Sequence, residues 1–261
     1  MKSPSFQRLL DLSGKIALVT GAGRGIGAGI ATRLAEAGAA VGVHYRSSAE
    51  GAERVAEEIR GGGGRACALS ADVTQEGQVK GLIEEMVAAF DRLDILINNA
   101  GTYPVSPLVA MPEDQWDEVM AANLKSVHLC TQAAARQMIE QADGGSVVNV
   151  SSIEGQAPAD LHAHYTSAKA GVIMHTRAAA LELGRHHIRV NSVAPGLIWA
   201  EGLEEAWPDG VRRWLNSVPL GRLGQPHDVA DACLFFAAPA SRWITGATLT
   251  VDGGMLSSPI F

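Results

Sequence analysis

The sequence predicts an α/β fold: a doubly wound, mostly parallel sheet with helices on both faces, in a single domain spanning 1–261. Three observations carry that reading. Short, nearly continuous apolar runs alternate with longer helical patterns from end to end, as strands buried on both faces require. The first run opens directly into a glycine-rich turn and a helix. No linker, repeat or low-complexity stretch divides the 261 residues, and a chain that is 47% hydrophobic can bury one sizeable core.

In order, KIALVT (15–20) reads as a buried strand and 26–37 as the first helix. A strand at 40–45 and an Ala/Glu-rich helix at 49–60 follow, the latter ended by the glycines 61–64, which tolerate the left-handed backbone of a helix C-terminus. After a strand at 65–69, the helix 74–90 sets Val79, Ile83, Met86 and Phe90 on one stripe at spacings of three or four. DILIN (94–98) is the next strand, and one long helical region is predicted from Pro112 to Ile139. Further strands lie at 146–151, 188–195 and 247–252, with helices at 165–184 and 227–238. The stretch 197–218 is the least regular, and it follows the carboxyl end of a strand, where open α/β sheets place ligands. It is the candidate substrate lid.

A net charge of −7 argues against a general binder of nucleic acids or anionic membranes. The start, MKSPSFQRLLDLSGK, has neither a long apolar run nor a cleavage-type site, so no signal peptide is expected. No apolar run reaches the roughly 18 residues of a membrane span. Cys67, Cys130 and Cys233 are scattered and odd in number, matching neither a disulfide framework nor a metal cluster. They read as small buried apolar residues in a reducing cytoplasm.

The loop TGAGRGIG (20–27) joins the first strand to the first helix. Its glycines let the backbone turn sharply and approach a pyrophosphate, while the amides and dipole of the helix N-terminus favour negative charge. The spacing is G-x-x-x-G-x-G, from Gly21 through Gly25 to Gly27, and Arg24 and Ile26 complete the candidate cradle. In a strand–turn–helix setting this is the nucleotide site of a Rossmann-type sheet.

Tyr165 and Lys169 lie four apart on a predicted helix and share a face. A phenol with a pKa near 10 exchanges protons poorly at neutral pH. An ammonium about 4 Å away, at an effective dielectric of about 20, favours the phenolate by roughly 4 kcal/mol, or about 3 pKa units. Y-x-x-x-K alone is weak. Here it coincides with TGAGRGIG, NNAG (98–101), Asn123, Ser152 and PG (195–196) in one order, a set that resembles the classical short-chain dehydrogenase/reductase family from Gly14 to Gly254.

The resemblance implies that Tyr165 is the general acid in reduction and the base in oxidation. It implies that Lys169 holds the nicotinamide ribose hydroxyls and lowers the tyrosine pKa. Ser152, thirteen residues before the tyrosine, would hydrogen-bond the substrate oxygen, and Asn123 would support the proton relay. Asp72 and Val73 would contact the adenine, Asn99, Ala100 and Gly101 would line the cofactor channel, and Pro195, Gly196 and Ile198 would flank the nicotinamide. One departure is visible: Ala200 stands where the family often has a threonine that binds the carboxamide. The resemblance further implies a homotetramer or homodimer, built through helices near 112–139 and 165–184, with 256–261 helping cover a neighbour.

Many NAD-preferring members carry an acid at the end of the second strand, where it accepts the adenosine ribose hydroxyls. Here Tyr45 stands there, followed by Arg46, Ser47 and Ser48. With Arg24 these offer guanidinium and hydroxyl donors to a 2′-phosphate, so NADP(H) is the expected cofactor and NAD(H) the lesser one.

The substrate is read only as a small carbonyl or alcohol. The pocket would be lined by Tyr103, residues 154–164 and a lid carrying Trp199, Trp207 and Trp214. Glu154 is either a ligand for a hydroxylated substrate or a solvated loop carboxylate. His162 and His164 have metal-like spacing but no third ligand, so no metal is expected. A 3-oxoacyl-carrier-protein reductase is one alternative, kept open by Arg185 and Arg212-Arg213. Against it stand Asp143, His186 and the acidic lid residues Glu201, Glu204, Glu205 and Asp209, which would repel an acidic carrier. A sugar or polyol dehydrogenase is another. A nucleotide-sensing protein without turnover is the alternative from a different class, although such proteins typically lose the tyrosine or lysine.

Overall fold

The computed structural model describes residues 5–257. Seven strands form one parallel sheet: β1 (Ile16–Val19), β2 (Ala40–Tyr45), β3 (Arg65–Ser70), β4 (Ile95–Asn98), β5 (Gly145–Val150), β6 (Ile188–Pro195) and β7 (Thr248–Val251). Their spatial order is β3-β2-β1-β4-β5-β6-β7. The order reverses between β1 and β4, so crossovers leave in opposite directions there and a crevice opens at the strands' carboxyl ends.

Period-two alternation divides the central strands between two cores. In β1, Ala17 and Val19 face one layer while Ile16 and Leu18 face the other. The first layer is closed by α1 (Gly25–Glu36), α2 (Ala49–Gly61) and α9 (Pro226–Ala237), through Ile30, Leu34, Val55, Ile59, Val229 and Phe236. The second is closed by α3 (Glu76–Phe90), α5 (Ser126–Gln141) and α6 (Ala163–Leu183), through Leu82, Met86, Cys130, Met138 and Ala180. Both faces being apolar, the strands read as continuous runs, and Cys130 and Cys233 are packed as core residues.

The region 112–139 is not one regular helix. It forms α4 (Glu113–Met120), a π-helical turn over Ala121–Lys125, and then α5. The π turn holds the buried Asn123, whose Nδ2 donates to the carbonyls of Val119 (3.0 Å) and Thr102 (2.7 Å). A side-chain amide competing for the helix's own carbonyl widens the turn, a distortion that periodicity does not report. The stretch 197–218 contains two short helices, α7 (Leu203–Ala206) and α8 (Pro208–Ser217). Of the C-terminal segment expected to cover a neighbour, Leu256 is exposed, and 258–261 lie outside the described residues.

Candidate active site

Past the end of β5, two adjacent serines have different fates. Ser151 is spent on structure: its Oγ donates to the Val193 carbonyl (3.1 Å) and accepts from Ser192 Oγ (2.9 Å). Ser152 caps a 3₁₀ turn, Ile153–Gly155, its Oγ accepting from the Glu154 amide at 3.1 Å, and the same hydroxyl hydrogen-bonds the Tyr165 phenol. Tyr165 and Lys169 stand one turn apart on α6. Lys169 is buried, donates from Nζ to the Val150 carbonyl at 3.0 Å, and lies 5.5 Å from the centre of the Tyr165 ring.

The electrostatics correct one expectation. Burial holds the Tyr165 phenol well above its usual range; the Ser152 hydrogen bond opposes this, while Glu154 and Tyr103 reinforce it. Burial also lowers Lys169 to about 8. Lys169 points past the ring to a carbonyl, so desolvation outweighs the cation that was expected to bring the phenol near neutrality.

Asn123 Oδ1 is buried and accepts no hydrogen bond among the described residues. A Cβ added at Gly101 would strike Asn123 Oδ1 and stand 3.7 Å from Lys169 Nζ. Only a glycine leaves that polar gap open, and the amide oxygen and the ammonium border it together.

The glycine loop is held from two sides. Asn99 Nδ2 donates to the carbonyls of Thr20 (2.9 Å) and Gly21 (3.0 Å), and Thr20 Oγ1 accepts from the amides of Asn99 (2.9 Å) and Ala100 (3.0 Å). On the other side the Gly21 amide donates to Nδ1 of buried His44 at 3.1 Å, and His44 Nε2 donates to the Ala71 carbonyl at 3.0 Å. Burial lowers the His44 pKa and so keeps it neutral, as that pairing requires.

These residues fit a dinucleotide. Gly21 (φ +64) faces Ala100, where a Cβ would come within 3.0 Å of its Cα; a Cβ at Gly27 would collide with the Gly21 carbonyl. Gly25 (φ +56) has open space beyond it, at the N-terminus of α1, where no side chain caps the first turn. Arg24, Arg46 and Ser47 are exposed and Tyr45 is half-buried. Gly23 packs close to Ser48, a Cβ there lying 3.1 Å from the Ser48 carbonyl, which brings Arg24 to the same rim as 46–48. Asp72 is spent locally, its carboxylate accepting from Thr74 Oγ1 at 2.7 Å, and Val73 is buried, so those two would meet a base by backbone and apolar contact. Gly196 hangs from the Val251 carbonyl (3.0 Å) beneath the Trp214 ring, while Ile198, beyond Pro195, forms a bridge to Gly224.

A family model described as enoyl-(acyl carrier protein) reductase matches residues 21–256. The 3-oxoacyl-[acyl-carrier-protein] reductase FabG of Staphylococcus aureus is 43% identical over 92% of this chain and 98% of its own. The chain belongs to the short-chain dehydrogenase/reductase family. As a short-chain dehydrogenase/reductase it is an oxidoreductase, and solved members share its architecture. A short-chain type dehydrogenase/reductase from Mycobacterium marinum superposes with TM-score 0.92 at 40% identity, covering 96% of this chain and 99% of that one. A gluconate 5-dehydrogenase from Burkholderia cenocepacia, in complex with NADP and tartrate, gives 0.90 at 36% identity, covering 97% and 99%.

Three features escaped sequence reasoning. His44 interrupts an otherwise apolar strand, and that polar intrusion was its signal. Asn98 Nδ2 donates to Thr131 Oγ1 (3.0 Å) and Asn149 Oδ1 (2.8 Å), and Asn149 Nδ2 to Thr176 Oγ1 (2.9 Å), tying β4 and β5 to α5 and α6. Glu154 Oε2 meets His162 Nδ1 at 2.9 Å, and the His162 ring lies 5.7 Å from that of Tyr165. Glu154 is therefore not a solvated loop carboxylate. His162 and His164 do not converge, and no metal-binding cluster occurs among the described residues.

Proposed function

We propose that this oxidoreductase is NADP(H)-dependent, with NAD(H) the poorer cofactor, and acts on the carbonyl or secondary alcohol of a small molecule. The observation that carries this reading is the meeting of Ser152, Tyr165 and Lys169 at the sheet's crevice, with Arg24 and Arg46 on the rim of the glycine cradle. When bound, the cofactor supplies or accepts the hydride. Gly21, Gly25, Ile26 and Gly27 would cradle its pyrophosphate; Asp72 and Val73 would meet the adenine; Asn99 to Gly101, Pro195, Gly196 and Ile198 would border its path. Tyr45, Arg46, Ser47 and Arg24 would hold the 2′-phosphate.

In reduction, Ser152 donates a hydrogen bond to the substrate oxygen and Tyr165 gives that oxygen its proton. Burial holds that phenol above its usual range, so its proton leaves against the desolvation of the phenolate, and the Ser152 hydrogen bond is the contact that eases the loss. Lys169 would hold ribose hydroxyls and, with Asn123 across the gap at Gly101, would pass a proton from solvent back to Tyr165. In oxidation Tyr165 takes the proton instead. We place the protein in the cytoplasm as a homotetramer or homodimer; among the described residues no helix is long and apolar enough to cross a membrane.

A second reading, reduction of a carrier-linked 3-oxoacyl thioester, is favoured by the 43% identity to the staphylococcal reductase. Against it, Glu201, Glu204, Glu205 and Asp209 are all exposed on the lid. The test is loss of reduced-nicotinamide absorbance with NADPH or NADH, on diketones, aryl ketones, keto esters, aldoses and a 3-oxoacyl thioester. NADPH and free compounds should lead. Turnover confined to the carrier-linked thioester would establish the second reading.

A further inference from the structure

Next to the reacting phenol lies a hydrogen-bonded carboxylate–imidazole pair that the proposed chemistry does not use. Glu154 sits two residues after Ser152, and its amide is hydrogen-bonded to the Ser152 hydroxyl, so its backbone is fixed to the group that would hold the substrate oxygen. Gly155 keeps this turn against α6, since a Cβ there would stand 2.7 Å from the Lys169 carbonyl. The side chain is fixed as well. His162, one helical turn before Tyr165, holds Oε2 at 2.9 Å, and the two side chains are only 24% and 17% exposed. Because a carboxylate only accepts, Nδ1 of His162 carries the proton between them.

The second carboxylate oxygen, Oε1, accepts no hydrogen bond among the described residues. The imidazole that holds Glu154 lies 5.7 Å, ring centre to ring centre, from Tyr165, so the carboxylate stands on the flank of the reacting phenol. A partly desolvated carboxylate with one oxygen clamped and one open is an acceptor for a donor hydroxyl, and it repels anions.

We propose that Glu154, clamped by His162, determines specificity by accepting a hydrogen bond from a hydroxyl beside the reacting carbonyl, so that neutral hydroxylated carbonyl compounds are taken and keto acids are rejected. His162 is a positioning residue in this arrangement. The assignment rests on the carbonyl-reductase reading and names its substrate class. A carrier-linked 3-oxoacyl thioester offers no such donor.

The test measures kcat/KM with NADPH on three matched substrates: an α-hydroxy ketone, the same ketone without the hydroxyl, and the corresponding α-keto acid. Wild type should prefer the hydroxy ketone by about tenfold or more, the worth of one charge-assisted hydrogen bond. Glu154→Ala should reduce the hydroxy-to-deoxy ratio about tenfold, chiefly through KM. Glu154→Gln retains an acceptor and removes the charge, so it should keep part of that ratio while gaining activity on the keto acid. His162→Ala should fall between them. A wild-type ratio near one, or an equal loss on both ketones in Glu154→Ala with no keto-acid gain in Glu154→Gln, overturns the assignment while leaving the reductase reading intact. If wild type turns over none of the three substrates, the reductase reading fails and takes the assignment with it.

Discussion

Tyr165 is the residue on which the proposed chemistry turns. Phenylalanine there keeps the ring packed against His162 and removes only the hydroxyl. Tyr165→Phe should lower carbonyl reduction on the order of 10²- to 10⁴-fold, with NADPH affinity, measured by fluorescence titration, nearly unchanged. Activity within about tenfold of wild type would mean that the proton comes from elsewhere. In the proposed reading, the 2′-phosphate would be met at Tyr45 and Arg46. Wild type should prefer NADPH over NADH by at least about tenfold in kcat/KM, one guanidinium–phosphate contact being worth roughly 1.5–3 kcal/mol. Tyr45→Asp with Arg46→Ile should reverse the order, because a carboxylate repels the phosphate and accepts ribose hydroxyls. A double variant that still favours NADPH would show that the phosphate is not read at this rim. That Ser152, Tyr165 and Lys169 come together was legible, because their order along the chain resembles that of one family. At Glu154 the sequence left two readings open, a ligand for a hydroxylated substrate or a solvated carboxylate, because the contact with His162 depends on a turn folding back.

Among the elements, regular ones were legible within a few residues: β6 was expected at 188–195 and forms Ile188–Pro195. Two features that periodicity does not report share a cause, a polar side chain that takes a backbone hydrogen bond. Asn123 does this in the π turn, and His44 does it at the joint between the glycine loop, β2 and β3. His44→Phe would leave the Gly21 amide without its acceptor, at about 1–3 kcal/mol, and should weaken cofactor binding along with the fold. Protonation should act similarly. Burial lowers the His44 pKa, so as pH falls the unfolded chain takes up the proton first, from about 6.5. Stability is therefore full above that value and declines below it. Urea midpoints at pH of about 8 and about 5 should show a smaller difference in His44→Phe than in wild type; equal differences would acquit His44.

At the scale of the whole molecule, the described residues leave apolar surface that none of their elements covers. Met174 and Leu181 on α6 are 60% and 85% exposed, and seven residues, close to two turns, set them on one face. Large side chains grouped in this way are what a contact surface would present, and they support the assembly we propose. Light scattering at micromolar concentration should give a dimer or tetramer, and Met174→Glu with Leu181→Glu should reduce the mass. A monomeric wild type would contradict the assembly. Surface of this kind is hard to read in a sequence, because α6 is apolar on several faces, with Val172 fully buried and Met174 out.

The widened turn at Ala121–Lys125 has a consequence for how this chain can change in length. α4 packs on α6, whereas α5 packs on α3 and on the strands β4 and β5. Each residue of helix advances the side chains by about 100°, so the phase between those two contact faces depends on the number of residues in the turn. Losing one codon there would let the ladder close regularly and rotate one face away from its partner, withdrawing Asn123 from the gap at Gly101. Substitutions at its outward position, such as exposed Lys125, leave that phase untouched. The segment is therefore rigid in count and permissive in composition at its surface, so natural variation here is expected as exchanges of residues and not as insertions or deletions.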